Sequence, residues 1–363
     1  MRIVFVGGNS GGHLFPLVAV WHEVQKLNPT AEAHFVCGEK AEDRAALEPE
    51  HCPMTQIPTP RMNLALPMTF LRGLKQAGNA LDAFKPDIIF SKGGAVSVPV
   101  CWAAKRRKIP IILHESDAVM GRANFIISKW AATVCLGFPS RVPRDSLLVN
   151  RNSKQEQIPT NFESRISNNA VVTGNPVRPE ITEGKRNEGL KLTGLSGKRP
   201  ILLITGGSQG AQALNEWAVQ HLEEILKHAD VVHLTGKGKQ GATSRNGYVS
   251  LPFAMQELPH LYAIANLAIS RAGAGAISEL AMNGIPTIVV PLRGLAQDHQ
   301  EANALAAEQS GGCIRIEQAE MQKLLPQVLA LLRDTEKRKA MSRAIHTLAA
   351  PEAARRIAEM LLR

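Results

Sequence analysis

IVFVGGNSGGH, Ile3 to His13, and ILLITGGSQGA, Ile201 to Ala211, open the two halves of this chain in the same form. Each is an apolar run, a Gly-Gly turn, two polar residues, a further glycine and the start of a helical stretch. A strand that passes through a glycine turn into a helix is the first unit of an α/β fold with a parallel sheet. Its occurrence twice predicts two Rossmann-like domains. One large sheet with chance glycine turns is the competing reading, and the rest of the strand–helix alternation argues against it.

Working outward from the first turn, strands are expected at Arg2 to Val6, Ala33 to Cys37, Asp87 to Phe90, Ile109 to Leu113 and Ala132 to Cys135. Helices are expected at Gly12 to Lys26, Leu66 to Phe84, Val96 to Arg107 and Met120 to Trp130. Around the second turn, strands are expected at Ile201 to Thr205, Val231 to Thr235, Asn266 to Ser270 and Pro286 to Val290. The helices between them are Gln209 to Lys227 and Gly273 to Asn283. The polar, proline-bearing stretch from Pro143 to Asn169 lacks periodicity and reads as a boundary. The expected domains are 1–165 and 166–350. Such strand–helix alternation puts helices on both faces of each sheet.

The chain has 363 residues, enough for two cores, and 42 Lys and Arg against 32 Asp and Glu, a net charge of +10. That balance selects anionic partners. Aromatic residues make up only 4%, too few for the stacking platforms of a single-strand nucleic-acid binder, so no nucleic acid is expected. The five cysteines are widely spaced with no CxxC pair, which excludes a zinc ribbon and a redox dithiol and reads as reduced buried thiols. The opening apolar run is too short for an export signal, and no apolar stretch is long enough to span a bilayer. A cytoplasmic protein is expected, one that lies on a membrane if it meets one.

A glycine turn at a helix N-terminus presents bare N–H groups and the positive end of the helix dipole, which suits phosphate. Two such turns suggest two phosphorylated ligands. Neither follows GxGxxG, the strand Val231 to Thr235 ends without an acidic ribose hook, and no GxxxxGK[ST] is present. These absences argue against an NAD-dependent oxidoreductase and a P-loop enzyme.

Several ordered motifs together resemble the MurG family. They are GGNSGGHLFP (Gly7 to Pro16), SKGGAVSVP (Ser91 to Pro99), HESD (His114 to Asp117) with Gly121 and Asn124, and GNPVR (Gly174 to Arg178). GGSQGA with Leu214-Asn215, SRAGAGAISELAMNGIP (Ser270 to Pro286) and DHQEANA (Asp298 to Ala304) follow. The resemblance spans nearly the whole chain. It implies a GT-B glycosyltransferase fold: two Rossmann-like domains facing an interdomain cleft, with a final helix within 351–363 packing back on the first. It also implies inverting, metal-independent transfer of N-acetylglucosamine from UDP-GlcNAc to the 4-hydroxyl of the MurNAc of lipid I. The product is lipid II of the cell wall, made at the cytoplasmic face of the bacterial inner membrane. No cofactor is implied. The alternatives are another GT-B transferase or a UDP-sugar 2-epimerase, and a non-catalytic sugar-nucleotide sensor.

Onto this sequence the resemblance carries a set of candidate residues. Ser10, Gly11, Gly12, Gly93 and Gly94 form the acceptor pyrophosphate loops. Arg178, Ser208, Gln209, Asn215, Phe253, Ala254, Ala274, Glu279, His299, Gln300, Asp117 and Asn124 face the donor. Glu279 would accept hydrogen bonds from the ribose hydroxyls, Ser208 and Gln209 would meet the UDP phosphates, and Phe253 and Ala254 would lie at the uracil. An inverting transfer needs a base for the acceptor hydroxyl. His13, at a helix N-terminus that favours neutral imidazole, and Glu115, at the end of a strand, are the two candidates.

The sequence departs from the family pattern at Ser116 and Asp117, where an amide pair is usual. It departs also in the SGA-type donor loop, which reads Ala272-Gly273-Ala274-Gly275-Ala276 and loses a hydroxyl, and at His299, whose protonation would make donor binding pH-sensitive. The stretch Arg61 to Lys75 mixes large apolar residues with cations, and Lys105 to Lys108 is a compact basic run. Both suit an anionic membrane surface.

Overall fold

The computed structural model describes residues 1–8, 11–60, 66–138, 169–207, 210–239, 241–294 and 298–363. The chain forms two compact units, Met1–Arg178 with Pro351–Arg363, and Pro179–Ala350. The sequence reading ends the first domain at 165. In the structure the strand Ala170–Val172 pairs within the first sheet, and the first unit extends to Arg178.

The first unit holds a seven-stranded sheet built from β1 (Arg2–Val6), β2 (Glu32–Gly38), β3 (Met54–Ile57), β4 (Ile88–Ser91), β5 (Ile111–Glu115), β6 (Thr133–Leu136) and β7 (Ala170–Val172). All pairs are parallel, in the order β3-β2-β1-β4-β5-β6-β7. The helices are α1 (Gly11–Leu27), α2 (Ala41–Leu47), α3 (Leu66–Phe84), α4 (Ser97–Arg106) and α5 (Arg122–Ser128). A parallel sheet covered on both faces needs strands that are apolar throughout rather than alternating. Ile3, Val4, Phe5 and Val6 of β1 are accordingly all buried. Phe5 points to the face covered by α1 and stacks with Phe35, while Val4 and Val6 join the cluster under α3, α4 and α5.

The second unit holds a six-stranded sheet of β8 (Ile201–Thr205), β9 (Asp230–Leu234), β10 (Tyr248–Leu251), β11 (Leu267–Ser270), β12 (Thr287–Val289) and β13 (Cys313–Arg315), in the order β10-β9-β8-β11-β12-β13. Its helices are α6 (Arg186–Thr193), α7 (Gln212–Leu226), α8 (Leu258–Ile264), α9 (Ala274–Met282), α10 (His299–Glu308), α11 (Leu324–Arg333) and α12 (Thr335–His346). The last helix, α13 (Ala353–Leu361), belongs to the first unit. Its Ala354, Ile357, Ala358 and Leu361 recur at helical spacing and bury against α1, with Arg355 and Arg356 left in solvent.

Each sheet reverses its direction of growth once. In the first the reversal lies between β1 and β4, in the second between β8 and β11. The loops after two such strands diverge and leave a crevice at the strand C-termini, the usual ligand position in open α/β sheets. Topology therefore brings the Gly7 turn next to Ser91-Lys92-Gly93-Gly94, and the Gly206 turn next to Arg271-Ala272-Gly273.

Candidate active site

In the first unit His13 is the third residue of α1 and half-buried. Pro16 inside this helix has no N–H to give to the Gly12 carbonyl, which loosens the first turn. The imidazole lies against Gly94: a Cβ there would stand 3.0 Å from His13 Cε1 and 3.1 Å from Nδ1. Gly93, at φ +82°, has a more severe constraint, because a Cβ would fall 1.8 Å from Asn124 Oδ1. Both glycines are therefore required by the close approach of other groups.

Asn124 links this turn to Glu115. Its Oδ1 accepts from the Gly94 N–H at 3.2 Å, and its Nδ2 donates to Glu115 Oε2 at 2.8 Å. Glu115, only 4% exposed, also accepts from the N–H of Asp117 at 3.0 Å and of Gly121 at 3.1 Å. Burial, then the neighbouring Asp117 charge, push this carboxyl above the usual carboxylate range; the two N–H groups and the Lys92 charge act the other way. Glu115 is thus an anchor with its oxygens committed to backbone and Asn124, and His13 is the more accessible of the two candidate bases. Asn124 is committed in the same way, to Glu115 and Gly94.

His114 is fully buried, its Nε2 donating to the Gly174 carbonyl at 3.0 Å, and burial holds its pKa well below the ordinary value. Asn175 Nδ2 donates to the Ser116 carbonyl at 3.1 Å. These two bonds tie the HESD strand end to the GNPVR turn. They deliver Arg178 to the first unit, where its guanidinium sits 4.3 Å above the Phe15 ring of α1. Arg178 and the α1 N-terminus thus share one neighbourhood.

In the second unit the turn after β8 is closed by Gly210, whose missing Cβ would lie 2.1 Å from the Thr235 carbonyl oxygen. Asn215 of α7 is 2% exposed, its Nδ2 donating to the Thr235 carbonyl at 2.9 Å and its Oδ1 accepting from His233 Nε2 at 3.0 Å. Its amide holds the end of β9 in place. Helix α9 begins after Gly273 with no side-chain cap, and a Cβ on Gly273 or Gly275 would meet nothing within 4 Å. The first N–H groups of this helix, including that of Ala274, have no acceptor within the helix. Glu279, farther along α9, accepts from the Tyr262 hydroxyl at 2.9 Å.

His299 and Gln300 open α10, after Asp298 at φ 56°. Gln300 Oε1 accepts from the Leu292 N–H at 3.0 Å, so this amide partly serves its own loop. The buried Glu301 next to it binds Arg293 at 3.0 Å and Arg315 at 2.7 Å. Asn303 Nδ2 donates to the Ala272 carbonyl at 3.1 Å, which ties α10 to the α9 turn. Phe253 lies 4.8 Å beneath the Lys237 ammonium, with Ala254 buried beside it. Ser10, Ser208 and Gln209 lie outside the described residues.

The structure thus places Gly11, Gly12, His13, Gly93, Gly94, Glu115, Asp117, Asn124 and Arg178 in the first unit, and Asn215, Phe253, Ala254, Ala274, Glu279, His299 and Gln300 in the second. Sequence reasoning missed Lys92, Tyr262, Lys237, Lys239 and Asn303. Lys239 donates to the Gly210 carbonyl at 3.1 Å. The motif Gly236-Lys237-Gly238-Lys239, after a strand that flanks the glycine turn, was the available signal.

Residues 3–136 match the glycosyltransferase family 28 N-terminal domain and residues 201–357 the family 28 C-terminal domain. A relative from Clostridium botulinum, UDP-N-acetylglucosamine--N-acetylmuramyl-(pentapeptide) pyrophosphoryl-undecaprenol N-acetylglucosamine transferase, is 34% identical over 331 residues, 88% of this chain and 87% of its own. The protein of the same name from Lachnoclostridium phytofermentans is 36% identical over 85% of this chain and 84% of its own. The crystal structure of Acinetobacter baumannii MurG superposes with a TM-score of 0.73 over 99% of both chains at 25% identity. A UDP-GlcNAc 2-epimerase from Neisseria meningitidis reaches 0.70 over all of both chains at 17% identity, a likeness of fold alone. Two parallel-sheet α/β units of the GT-B class, with both family domains in order, identify the chain as a member of glycosyltransferase family 28, within its MurG group.

Proposed function

We propose that this chain transfers N-acetylglucosamine from UDP-GlcNAc to the 4-hydroxyl of the MurNAc of lipid I, forming lipid II for peptidoglycan. The observation that carries this reading is the extent of the likeness to the curated N-acetylglucosamine transferases, across both units. In the step proposed, the acceptor oxygen attacks C1 of the donor sugar with inversion. The C1–O bond to phosphate breaks, UDP departs with the electron pair, and His13 takes the hydroxyl proton. Glu115 positions the His13 turn through Asn124. The uncapped N-terminus of α9 supplies positive potential for the leaving diphosphate, with no metal required. Glu279, oriented by Tyr262, accepts from the ribose, while His299 and Gln300 read the sugar hydroxyls. Phe253 and Ala254 line the uracil position, with Lys237 above the ring.

The lipid acceptor requires the first unit to work at an anionic membrane surface, and one side of that unit is suited to it. Helix α3 exposes Met68 and Leu71, and α4 exposes Trp102. Trp102 meets Trp130 edge-to-face at 5.1 Å, and Lys105 lies over both rings at 5.8 and 5.2 Å. Lys129 sits 4.5 Å over Phe125, next to the exposed Ile126. Amphipathic aromatics with cations above them belong at a headgroup interface. Arg107 in the basic run is instead paired with Asp82 at 2.7 Å. Residues 61–65 of the other candidate stretch lie outside the described residues, and no described helix is long and apolar enough to cross a membrane. The attachment proposed is therefore peripheral, at the cytoplasmic face of the bacterial inner membrane.

The test is a transfer assay with EDTA present, using UDP-GlcNAc and a lipid I analogue carried in anionic vesicles. One added N-acetylhexosamine by mass spectrometry, lost when high salt strips the protein from the vesicles, is the expected result. No product from an enzyme that binds UDP-GlcNAc would overturn the acceptor, and no UDP-GlcNAc binding would overturn the donor.

A further inference from the structure

Asn215 of α7 is hydrogen-bonded at both ends of its amide, and the two partners fix its orientation. The Thr235 carbonyl can only accept, so the amide nitrogen Nδ2 faces it, at 2.9 Å. Oδ1 is left facing His233 Nε2 at 3.0 Å, and because Oδ1 can only accept, His233 carries a proton on Nε2. Burial lowers the His233 pKa to about 4, so the ring is neutral at pH 7. Its Nδ1 is then an acceptor, and the Tyr248 hydroxyl, 3.0 Å away, donates to it. The bonds therefore run in one direction, from Tyr248 on β10 through His233 on β9 and Asn215 on α7 to the carbonyl at the end of β9. Tyr248, His233, Asn215 and Thr235 are all buried.

The Thr235 carbonyl at the end of this chain is the floor of the second glycine turn. A Cβ on Gly210 would fall 2.1 Å from its oxygen, so the backbone of Gly210 rests on it with no side chain between. The N–H of Gly210 donates to the Gly207 carbonyl at 2.9 Å, and its own carbonyl accepts from Lys239 Nζ at 3.1 Å. Helix α7 starts two residues later, at Gln212, and carries Asn215 in its first turn. Asn215 thus pins the helix that follows the turn to the strand end beneath it. A buried polar network with every member satisfied rigidifies the elements that it joins.

We propose that His233 is a positioning residue for the donor: by holding the Asn215 amide in one orientation, it seats the Thr235 carbonyl under Gly210 and fixes the glycine turn and the start of α7. The consequence for UDP-GlcNAc rests on the function proposed above. Without the Nε2–H the amide is free to rotate, and once flipped it would set its oxygen against the Thr235 oxygen. Two acceptors facing each other would push the strand end and Gly210 apart. His233 is fully buried, so it acts only through Asn215.

Nitrogen-15 NMR of the histidine rings at pH 7, with His233 assigned through its own side-chain carbons, should show the proton on Nε2 and none on Nδ1. A proton on Nδ1 overturns the proposal. His233→Gln and His233→Asn then separate the two bonds of the ring, because a Gln amide reaches the place of Nε2 and an Asn amide only that of Nδ1. Hydrogen exchange at the Gly210 N–H should be about tenfold faster in His233→Asn than in wild type, and close to wild type in His233→Gln. Calorimetry should find UDP-GlcNAc bound about tenfold more weakly by His233→Asn and within about twofold of wild type by His233→Gln, with kcat within about twofold in both. Equal affinities in the two variants overturn the proposal, since a role in packing alone would lower the stability of both and leave the affinity of the folded protein as it was. If neither variant folds, the tautomer in wild type decides. A wild type that binds no UDP-GlcNAc overturns the functional reading, while the tautomer and the Gly210 exchange still decide this inference.

Discussion

The Gly7 turn and the Gly206 turn share one sequence pattern, but the groups behind them differ in kind. Behind the first lie the buried ionisable groups Lys92 and Glu115 and the half-buried Asp117, next to a half-buried imidazole. Behind the second lies a neutral relay. His233, fully buried, binds the Tyr248 hydroxyl at 3.0 Å and Asn215 at 3.0 Å, and burial lowers its pKa to about 4. Burial lowers the Lys92 pKa to about 8 behind the first turn and raises that of Glu115, whereas the second turn is backed by an imidazole that burial keeps neutral. In the function proposed above, the second turn holds the nucleotide donor and the first the acceptor that loses a proton.

The comparison breaks most sharply at Gly93. Gly93→Ala forces a side chain onto Asn124 at φ +82°. It should cost about 3 kcal/mol or more of first-unit stability in urea unfolding and abolish transfer. UDP-GlcNAc affinity, assigned to the second unit in the proposed function, should survive; a parallel loss of donor binding would mean that the division of labour is wrong.

Next in size is His13→Ala, for which transfer should fall by about 10²- to 10⁴-fold with stability nearly unchanged. Glu115→Ala should lose stability as well as rate, because it leaves buried N–H groups unsatisfied. If His13→Ala keeps most of the rate and Glu115→Gln abolishes it without unfolding, the roles of the two residues are reversed.

Smaller still is the effect expected on the donor side. Glu279→Ala should raise the KM for UDP-GlcNAc by about 10- to 100-fold, the loss of charge-assisted hydrogen bonds, with kcat changed far less. Tyr262→Phe, which removes only the orienting hydroxyl, should raise it by about fivefold. A kcat effect larger than the KM effect would remove the contrast between the two turns.

Much of the fold was legible in the sequence. β1 and β8 read as continuous apolar runs ending at glycines, and α3 had clear bounds from Leu66 to Phe84. The three- and four-residue strands β3, β7, β10 and β13 were not legible. Their segments are too short to show a period, and they form because a sheet already stands beside them. The candidate site was legible as motifs more than as roles. Asn215 reads as a ligand contact in sequence, but its amide is spent on Thr235 and His233. Lysine is almost never fully buried, so the burial of Lys92 inside its motif had no signal in the sequence.

By itself the sequence determined the class of fold, the two glycine turns and the residue types that carry the chemistry. Those depend on local patterning: apolar runs, glycine where a Cβ does not fit, polar groups at helix starts. Only the tertiary structure decided which strands are neighbours, and hence that Lys92 lies under the Gly7 turn beside His114. It decided also that Asn124 joins Glu115 to Gly94, and that Arg178 rests on Phe15. Whether a polar side chain meets solvent, ligand or another buried charge depends on contacts between residues far apart in the chain, and local pattern holds no record of them.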